Sequence, residues 1–321
     1  MPLVLPTKKR QNQHRGNFRL SEIKDSSSPT PFFKSPQRIL QEAIDLHHRD
    51  SFYVGFSGGK DSVVATHFTE KYFPDQFKGV IYCDTGIKTS ETFNFVKDYC
   101  QEQGWKLHIV TPKRSYEEIV LHGGFPQAGM HNIVMRYLKY APMRRFILDR
   151  CDEGMYPAVV SGVRQAESSR RSVNASKETH RDGRLFFVSP VLYMSNGAMY
   201  DIFLKEKLKR SPVYETLHIS GDCLCGCYAD KGEAKLVDIF HPDVAKQIRD
   251  LEAKIKTHGT ALAKKWDSWG KGKTGMTDSH VQNTIGSELI CSECKFDNDP
   301  NDDSSILDEI DALDKKLERL R

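Results

Sequence analysis

Apolar positions over the first two thirds of the chain fall into short runs separated by stretches of helical spacing. Residues 38–48 carry Ile39, Leu40, Ala43, Ile44 and Leu46 three and four apart, the signature of one buried helix face. The run Phe52-Tyr53-Val54-Gly55-Phe56 reads as a buried strand, and a helix follows over 63–73. The alternation repeats with a strand over 79–82, a helix over 91–103 and a strand over 107–110. Residues 132–151 predict one long helix kinked at Pro142, because proline lacks an N–H and crowds the preceding turn. Strands over 156–163 and 185–188 complete the series. Strands alternating with helices predict an α/β fold, a three-layer parallel sheet with helices on both faces. Ligands in such sheets sit beyond the carboxyl ends of the strands.

The pattern changes after Pro212. A cysteine cluster leads into a helical segment over 230–258, a Gly/Lys/Trp-rich stretch over 266–275 and a second cysteine pair. The last segment, 306–320, has one stripe of Ile306, Leu307, Ile310, Leu313, Leu317 and Leu320. That stripe reads as a packing element or the face of a homodimer. The expectation is a mainly helical, cysteine-containing C-terminal region.

Composition narrows the class. Of 321 residues, 38% are hydrophobic and 28% charged, enough apolar material for a globular core. The formal net charge of +4 alone does not mark a nucleic-acid binder, but its distribution is uneven. Lys8, Lys9, Arg10, Arg15 and Arg19 lie in an N-terminal stretch without acids, while Asp297, Asp299, Asp302 and Asp303 crowd together. Residues 1–34 therefore read as a flexible basic arm, a solvated tail ahead of a nucleic-acid contact. No run approaches the roughly 20 apolar residues of a membrane span, and the N-terminus has the wrong order for a secretory signal. The expectation is a cytoplasmic protein without a membrane partner, whose eight cysteines are free thiols or metal ligands.

The turn after the first strand reads Ser57-Gly58-Gly59-Lys60-Asp61-Ser62. Two glycines let the backbone approach a ligand that a Cβ would hold away. The helix that starts there offers unpaired N–H groups and the positive end of its dipole, Ser57 and Ser62 add hydroxyls, and Lys60 adds a charge. All this suits a pyrophosphate group; the spacing is not that of the nucleotide-triphosphatase loop.

This loop resembles the signature of the PP-loop (N-type) ATP pyrophosphatase superfamily. Two further segments are similar to the phosphoadenylyl-sulfate (PAPS) reductase family. Asp84-Thr85-Gly86, continuing to Glu91-Thr92, resembles its DTG…ET segment, and the stretch from Gly162 through Arg164 and Ser168 to Arg171 its Gly-Ile-Arg…Ser…Arg segment. The resemblance spans roughly residues 36–215. It implies that these residues bind ATP or PAPS with Mg²⁺, and that Lys60 and Asp61 serve catalysis. Arg164, Arg170 and Arg171 are candidates to clamp a phosphate or sulfate bidentately. At the strand end Asp84 needs a partner or a ligand, with helix capping the plainer role for Ser90.

Cys223-x-Cys225-x-Cys227 and Cys291-Ser-Glu-Cys294 together could supply four thiolates. The C-x-C-x-C spacing favours a [4Fe–4S] cluster over zinc, and buried free thiols are the plainer alternative. Resemblance to relatives with a Cys-Leu-Cys-Gly segment makes Cys223, Cys225, Cys291 and Cys294 the ligand set and leaves Cys227 spare. The domain plan is then arm (1–34), nucleotide-binding domain (35–215), cysteine region (216–300), and acidic linker with C-terminal helix (301–321).

The chain departs from assimilatory PAPS reductases in lacking their Glu-Cys-Gly tail and their Trp-Thr pair. Three functions stay open. One is adenylylation at the α-phosphate with pyrophosphate release, coupled to sulfur transfer as in enzymes that thiolate DNA or tRNA, with nucleic acid and a sulfur donor protein as partners. The second is a divergent PAPS or adenylyl-sulfate reductase. The third is a non-catalytic nucleotide-binding regulator.

Overall fold

The structure, a computed structural model, describes residues 34–167, 177–229, 231–270, 308, 310–312 and 315. Its centre is a six-stranded sheet of β1 (Ser51–Gly55), β2 (Phe77–Cys83), β3 (Leu107–Val110), β4 (Pro157–Val160), β5 (Thr179–Asp182) and β6 (Leu185–Val188), in the order β3-β2-β1-β4-β6-β5. All neighbours are parallel except β5, which runs antiparallel to β6 at the edge. The chain builds outward from β1 to β3, then crosses back to lay β4 on the other side of β1. That reversal makes the β1/β4 boundary a topological switch point, where a crevice opens beyond the strand ends.

The helices in chain order are α1 (Pro36–Asp45), α2 (Lys60–Tyr72), α3 (Ser90–Gln103), α4 (Tyr116–Gly123), α5 (His131–Met135), α6 (Ala141–Asp152), α7 (Asn196–Lys205), α8 (Tyr214–Leu217), α9 (Lys231–Phe240), α10 (Pro242–His258) and α11 (Ala261–Lys265). Strand residues alternate between the sheet's two faces, as a period of two requires. Phe52, Val54, Val80, Tyr82, Ala158, Val160, Phe186 and Val188 bury one face with residues of α1, α2, α3 and α7. Tyr53, Ile81, Val159, Leu185 and Phe187 bury the other against Ile147, Met143 and Phe146 of α6. The expected three layers are present.

A separate apolar cluster joins α4, α5 and α8 to α11 around Tyr116, Ile119, Leu138, Leu224, Ile248 and Trp269. Ile310, from the expected C-terminal stripe, is 2% exposed and packs against Gly123 of its own chain, so this residue serves internal packing.

Several elements differ from the sequence expectation. The kinked helix over 132–151 is instead α5, a π-helical turn at Arg136–Tyr140, and α6. Pro142 cannot donate to the carbonyl four residues back and its ring crowds that carbonyl, so a wider turn takes up the misfit. The helix expected over 230–258 breaks at His241, and Pro242 restarts it as α10. The fourth strand ends at Val160, which frees residues 161–164 to line the switch point. No described helix is long and apolar enough to cross a membrane.

Candidate functional site

The phosphate loop sits where β1 hands over to α2. Gly58 has φ of +73°, a left-handed conformation that favours glycine, and a Cβ there would press on Phe95 and Val96 of α3. Gly59 is the N-cap of α2 and has no side chain to close the cap. The loop's hydroxyls brace one another: Ser62 Oγ donates to the Gly59 carbonyl at 2.9 Å, while the amides of Ser57 and Gly59 lie 3.3 Å from Ser62 Oγ and Ser57 Oγ. The result is an ordered helix start with its positive end at the crevice.

Gly162, on the turn after β4, rests against this helix start. A Cβ at 162 would lie 2.7 Å from the Asp61 carbonyl carbon and 2.8 Å from the Ser62 nitrogen. The first and third sequence motifs are thus in backbone contact, across the switch point between adjacent strands.

Asp61 links two cations. Lys60 Nζ lies 2.7 Å from Asp61 Oδ1, and Arg164 Nε donates to the same oxygen at 2.7 Å. Arg164 is 1% exposed, and its other nitrogens donate to the Met194 carbonyl and Asn196 Oδ1, each at 3.0 Å. A buried guanidinium requires this complete set of partners. The sequence places Arg164 in a phosphate or sulfate clamp; the structure turns it inward, where it positions Asp61.

The second motif divides similarly. Asp84 Oδ1 accepts from Lys88 Nζ at 2.5 Å and from the Gly86 amide at 3.1 Å, holding the turn. Gly86 has φ of +75°. Thr85 is fully buried, and its hydroxyl donates toward the carbonyls of Ile87 and Asp222 at 3.2 and 3.3 Å, so it braces the protein interior. The cap of α3 falls on Thr89, whose hydroxyl accepts from the Thr92 amide, rather than on Ser90. Ser168 and Arg171, with Arg170, lie outside the described residues.

The cysteine loop is built onto both earlier motifs. The Ser211 amide donates to the Gly58 carbonyl at 2.8 Å, and Ser220 Cβ lies 3.3 Å from where a Gly59 Cβ would stand. Thr89 N donates to the Gly221 carbonyl at 3.0 Å, and Leu224 N to the Ile87 carbonyl at 2.8 Å. Buried Thr92 Oγ1 sits 2.7 Å from Ser211 Oγ and donates to the Ser220 carbonyl at 2.5 Å. Asp222 then accepts from Ser220 Oγ at 2.6 Å and from Lys139 Nζ at 2.5 Å. Burial works to lower the Lys139 pKa, but Asp222 and the nearby Cys223 outweigh it and the net shift is upward. Sequence reasoning misses Ser211, Ser220 and Asp222, because no motif spacing marks them.

Within that loop Cys225 Sγ lies 3.4 Å from Cys227 Sγ, and Trp269 Nε1 donates to the Leu224 carbonyl at 2.9 Å. A hydrogen bond with Cys225, then burial, raises the Cys223 pKa well above its ordinary value. Cys223 acts to lower the pKa of Cys225, but Cys227 and burial prevail and it too rises. Neighbouring thiols resist forming adjacent thiolates, and Lys139 beside Cys223 offsets this only in part. Among the described residues no group of three or more His, Cys, Asp or Glu converges to hold a metal ion. Cys291 and Cys294 lie outside the described residues, so Cys223 and Cys225 are two thiol donors that do not complete a metal site by themselves.

The family model of the phosphoadenosine phosphosulfate reductase domain matches residues 51–229, more than half of the chain, and covers all three motifs together with the C-x-C-x-C loop. The chain belongs to that family. The PAPS reductase family domain thus takes in the cysteine loop as well as the sheet. An uncharacterized protein of Methanocaldococcus jannaschii is 27% identical over 165 residues, 50% of this chain and 33% of its own length. The chain spans about a third of the length of that curated relative. Among solved structures, the PAPS reductase of Candida auris in a phosphate complex is similar with a TM-score of 0.41 and 16% identity, over 66% of this chain and 93% of that one. A U34-tRNA thiolase of Methanococcus maripaludis with its [4Fe–4S] cluster is similar with a TM-score of 0.40 and 16% identity, over 80% and 89% of the two chains.

Proposed function

We propose that this PAPS reductase-family protein is an ATP-using enzyme that adenylylates an acceptor oxygen and couples that step to sulfur transfer. One observation carries the reading: the cysteine loop is anchored directly on the phosphate loop, through Ser211 to Gly58 and Ser220 against Gly59. A nucleotide on the loop and sulfur chemistry at the cysteines then share one rigid frame.

In this reading ATP enters with Mg²⁺ and rests its phosphates on the start of α2. The acceptor oxygen forms a bond to the α-phosphorus, the bond from that phosphorus to the bridging oxygen breaks, and pyrophosphate leaves with the electron pair. Lys60 and the N-terminal amides of α2 stabilise the charge that develops on the leaving group. Asp61 holds Lys60 in place, and buried Arg164 holds Asp61. A sulfur nucleophile then displaces AMP from the activated position. Cys223 and Cys225, with Cys291 and Cys294, would hold a [4Fe–4S] cluster, or zinc in its place, and a cluster there would supply a seat for the transferred sulfur. The basic arm gives the enzyme electrostatic purchase on a nucleic-acid acceptor, and a sulfur donor protein completes the cycle.

Family membership favours a second reading, reduction of a sulfonucleotide on the same loop. The product separates the two. Protein purified without oxygen should release pyrophosphate from ATP in the presence of acceptor, and Lys60→Ala should abolish that release while the fold is kept. Sulfite from PAPS, with no pyrophosphate from ATP, would select the reductase.

A further inference from the structure

Beside Lys60, on the side facing α7 and α8, lies a group of residues that neither the sequence motifs nor the proposed chemistry uses. Tyr200, on α7, has its ring 6.0 Å from Lys60 Nζ. Arg210 directly precedes Ser211, the residue whose amide is bound to the phosphate loop. The Arg210 guanidinium lies 3.9 Å from the ring centroid of Tyr214 and 6.0 Å from that of Phe203, with the Tyr200 phenol also beside it. One terminal nitrogen, Nη2, donates to Glu215 Oε1 at 2.8 Å. The other, Nη1, is covered and has no hydrogen-bond partner.

That combination is uneconomical for a purely structural arginine. Arg164, bonded to Asp61 of the same loop, shows what a structural guanidinium looks like here, with all of its edges engaged. Arg210 is 17% exposed, is oriented by an aromatic face, and engages Glu215 and the Tyr200 hydroxyl while Nη1 stays without a partner. A covered N–H left unpaired carries a desolvation penalty, which an arriving anionic oxygen would offset. Guanidinium is the group suited to a planar, two-point grip on phosphate, and stacking on tyrosine pre-organises it for that grip. Glu215 is 72% exposed, so its hold on Nη2 is screened by water and can be exchanged.

We infer that Arg210, set by Tyr214 and Tyr200, is a second anion contact of the nucleotide site and takes a phosphate group beyond the one seated on residues 57–62. This rests on the reading of that loop as the nucleotide cradle. The shared chemistry is a phosphate on an adenosine nucleotide, and two sources can supply it: the terminal phosphates of ATP or a phosphate on the 3′ oxygen of the ribose.

The test is calorimetric titration of the full chain with ATP, with adenosine 3′,5′-bisphosphate and with AMP. Arg210→Gln should weaken one of the two phosphate-rich ligands by about tenfold or more while AMP changes little, since a charge-assisted hydrogen bond is lost. Whichever ligand responds names the source. Glu215→Gln should tighten the same ligand, because it releases the competing hold on Nη2; a merely structural Arg210 would not produce that gain. Arg210→Lys keeps the charge without the fork and should fall between, which also serves if Arg210→Gln does not fold. Equal losses for all three ligands, no loss for any, or a Glu215→Gln protein with unaltered affinity would overturn the inference. Wild-type protein that binds none of the three nucleotides, or binds them equally with Lys60→Ala, would instead overturn the cradle itself.

Discussion

Gly162 and Asp61 touch backbone to backbone: a Cβ on residue 162 would stand 2.7 Å from the Asp61 carbonyl carbon and 2.9 Å from its oxygen. No side-chain rotation can relieve such a contact, because both partners are main chain. Gly162→Ala should therefore push the start of α2 away from β4 and open the phosphate loop. Overpacking of this kind costs about 1–3 kcal/mol. The expected outcome is a lowered melting temperature together with at least a severalfold loss of nucleotide affinity. Gly197→Ala is the control, because its Cβ would meet only Ser195 Oγ at 3.9 Å within a helix. Nucleotide binding by Gly162→Ala at wild-type strength would disprove the contact's role.

Arg164 offers a sharper separation of structure from recognition. Its charge is fully buried and divided among Asp61, Met194 and Asn196. Removing Arg164 leaves Asp61 with Lys60 alone and strips the Met194 carbonyl and Asn196 Oδ1 of their donor, at a cost of about 1–3 kcal/mol for each buried acceptor left unpaired. Arg164→Met should thus lower the urea midpoint strongly even without nucleotide. A phosphate clamp would behave in the opposite way, with unchanged stability and lost affinity. Equilibrium unfolding of the free protein decides between them.

Much of this architecture is legible in the sequence, and the exceptions have physical causes. Strands β1, β2, β4 and β6 announce themselves because buried strands need continuous apolar runs, while the half-exposed edge strand β3 is still marked by Leu107, Ile109 and Val110. β5 reads Thr-His-Arg-Asp and carries no such signal; it is an edge strand fixed by pairing with β6. Helix α4 was within reach, since Ser115 and Glu118 form a capping box that marks its start. The three motifs predict a shared crevice, and the contact of Gly162 with Asp61 places the first beside the third. The direction of a side chain is another matter. Arg164 reads the same from the sequence whether it faces a ligand or the core, and only its three partners reveal the latter. Arg210 belongs to no motif and becomes visible only through its stack on Tyr214.

The anchoring of the cysteine loop predicts a phenotype at Gly221. This residue has φ of +72°, where a Cβ is strained, and that Cβ would lie 2.7 Å from Thr89 Oγ1 and Val213 Cγ1. Gly221→Ala should break the Thr89 and Thr92 attachment and release the loop from the nucleotide side. Cys223 and Cys225 should then react several times faster with a thiol reagent in the folded protein. Unchanged labelling rates would show that the loop is held by the Trp269 and Leu224 contact alone.

Cys100 gives the protein a calculable weakness in alkali. It is 1% exposed between α3 and the sheet, and burial pushes its thiol from 9.0 up to about 12. The sign follows from proton counting. Between those two values the unfolded chain has lost the proton and the folded chain still holds it, so stability is full below pH 9 and falls as the pH climbs toward 12. One such group contributes a slope of at most about 1.4 kcal/mol per pH unit. Cys83, also raised to about 12 by burial, adds to the same decline. Cys100→Ala should be less stable than wild type at pH 7, by about 1–2 kcal/mol for the small void. Its urea midpoint should nevertheless fall less steeply between pH 9 and 11, so that the two curves converge. Parallel curves would mean that the Cys100 thiol ionises as easily in the folded protein as in the unfolded chain.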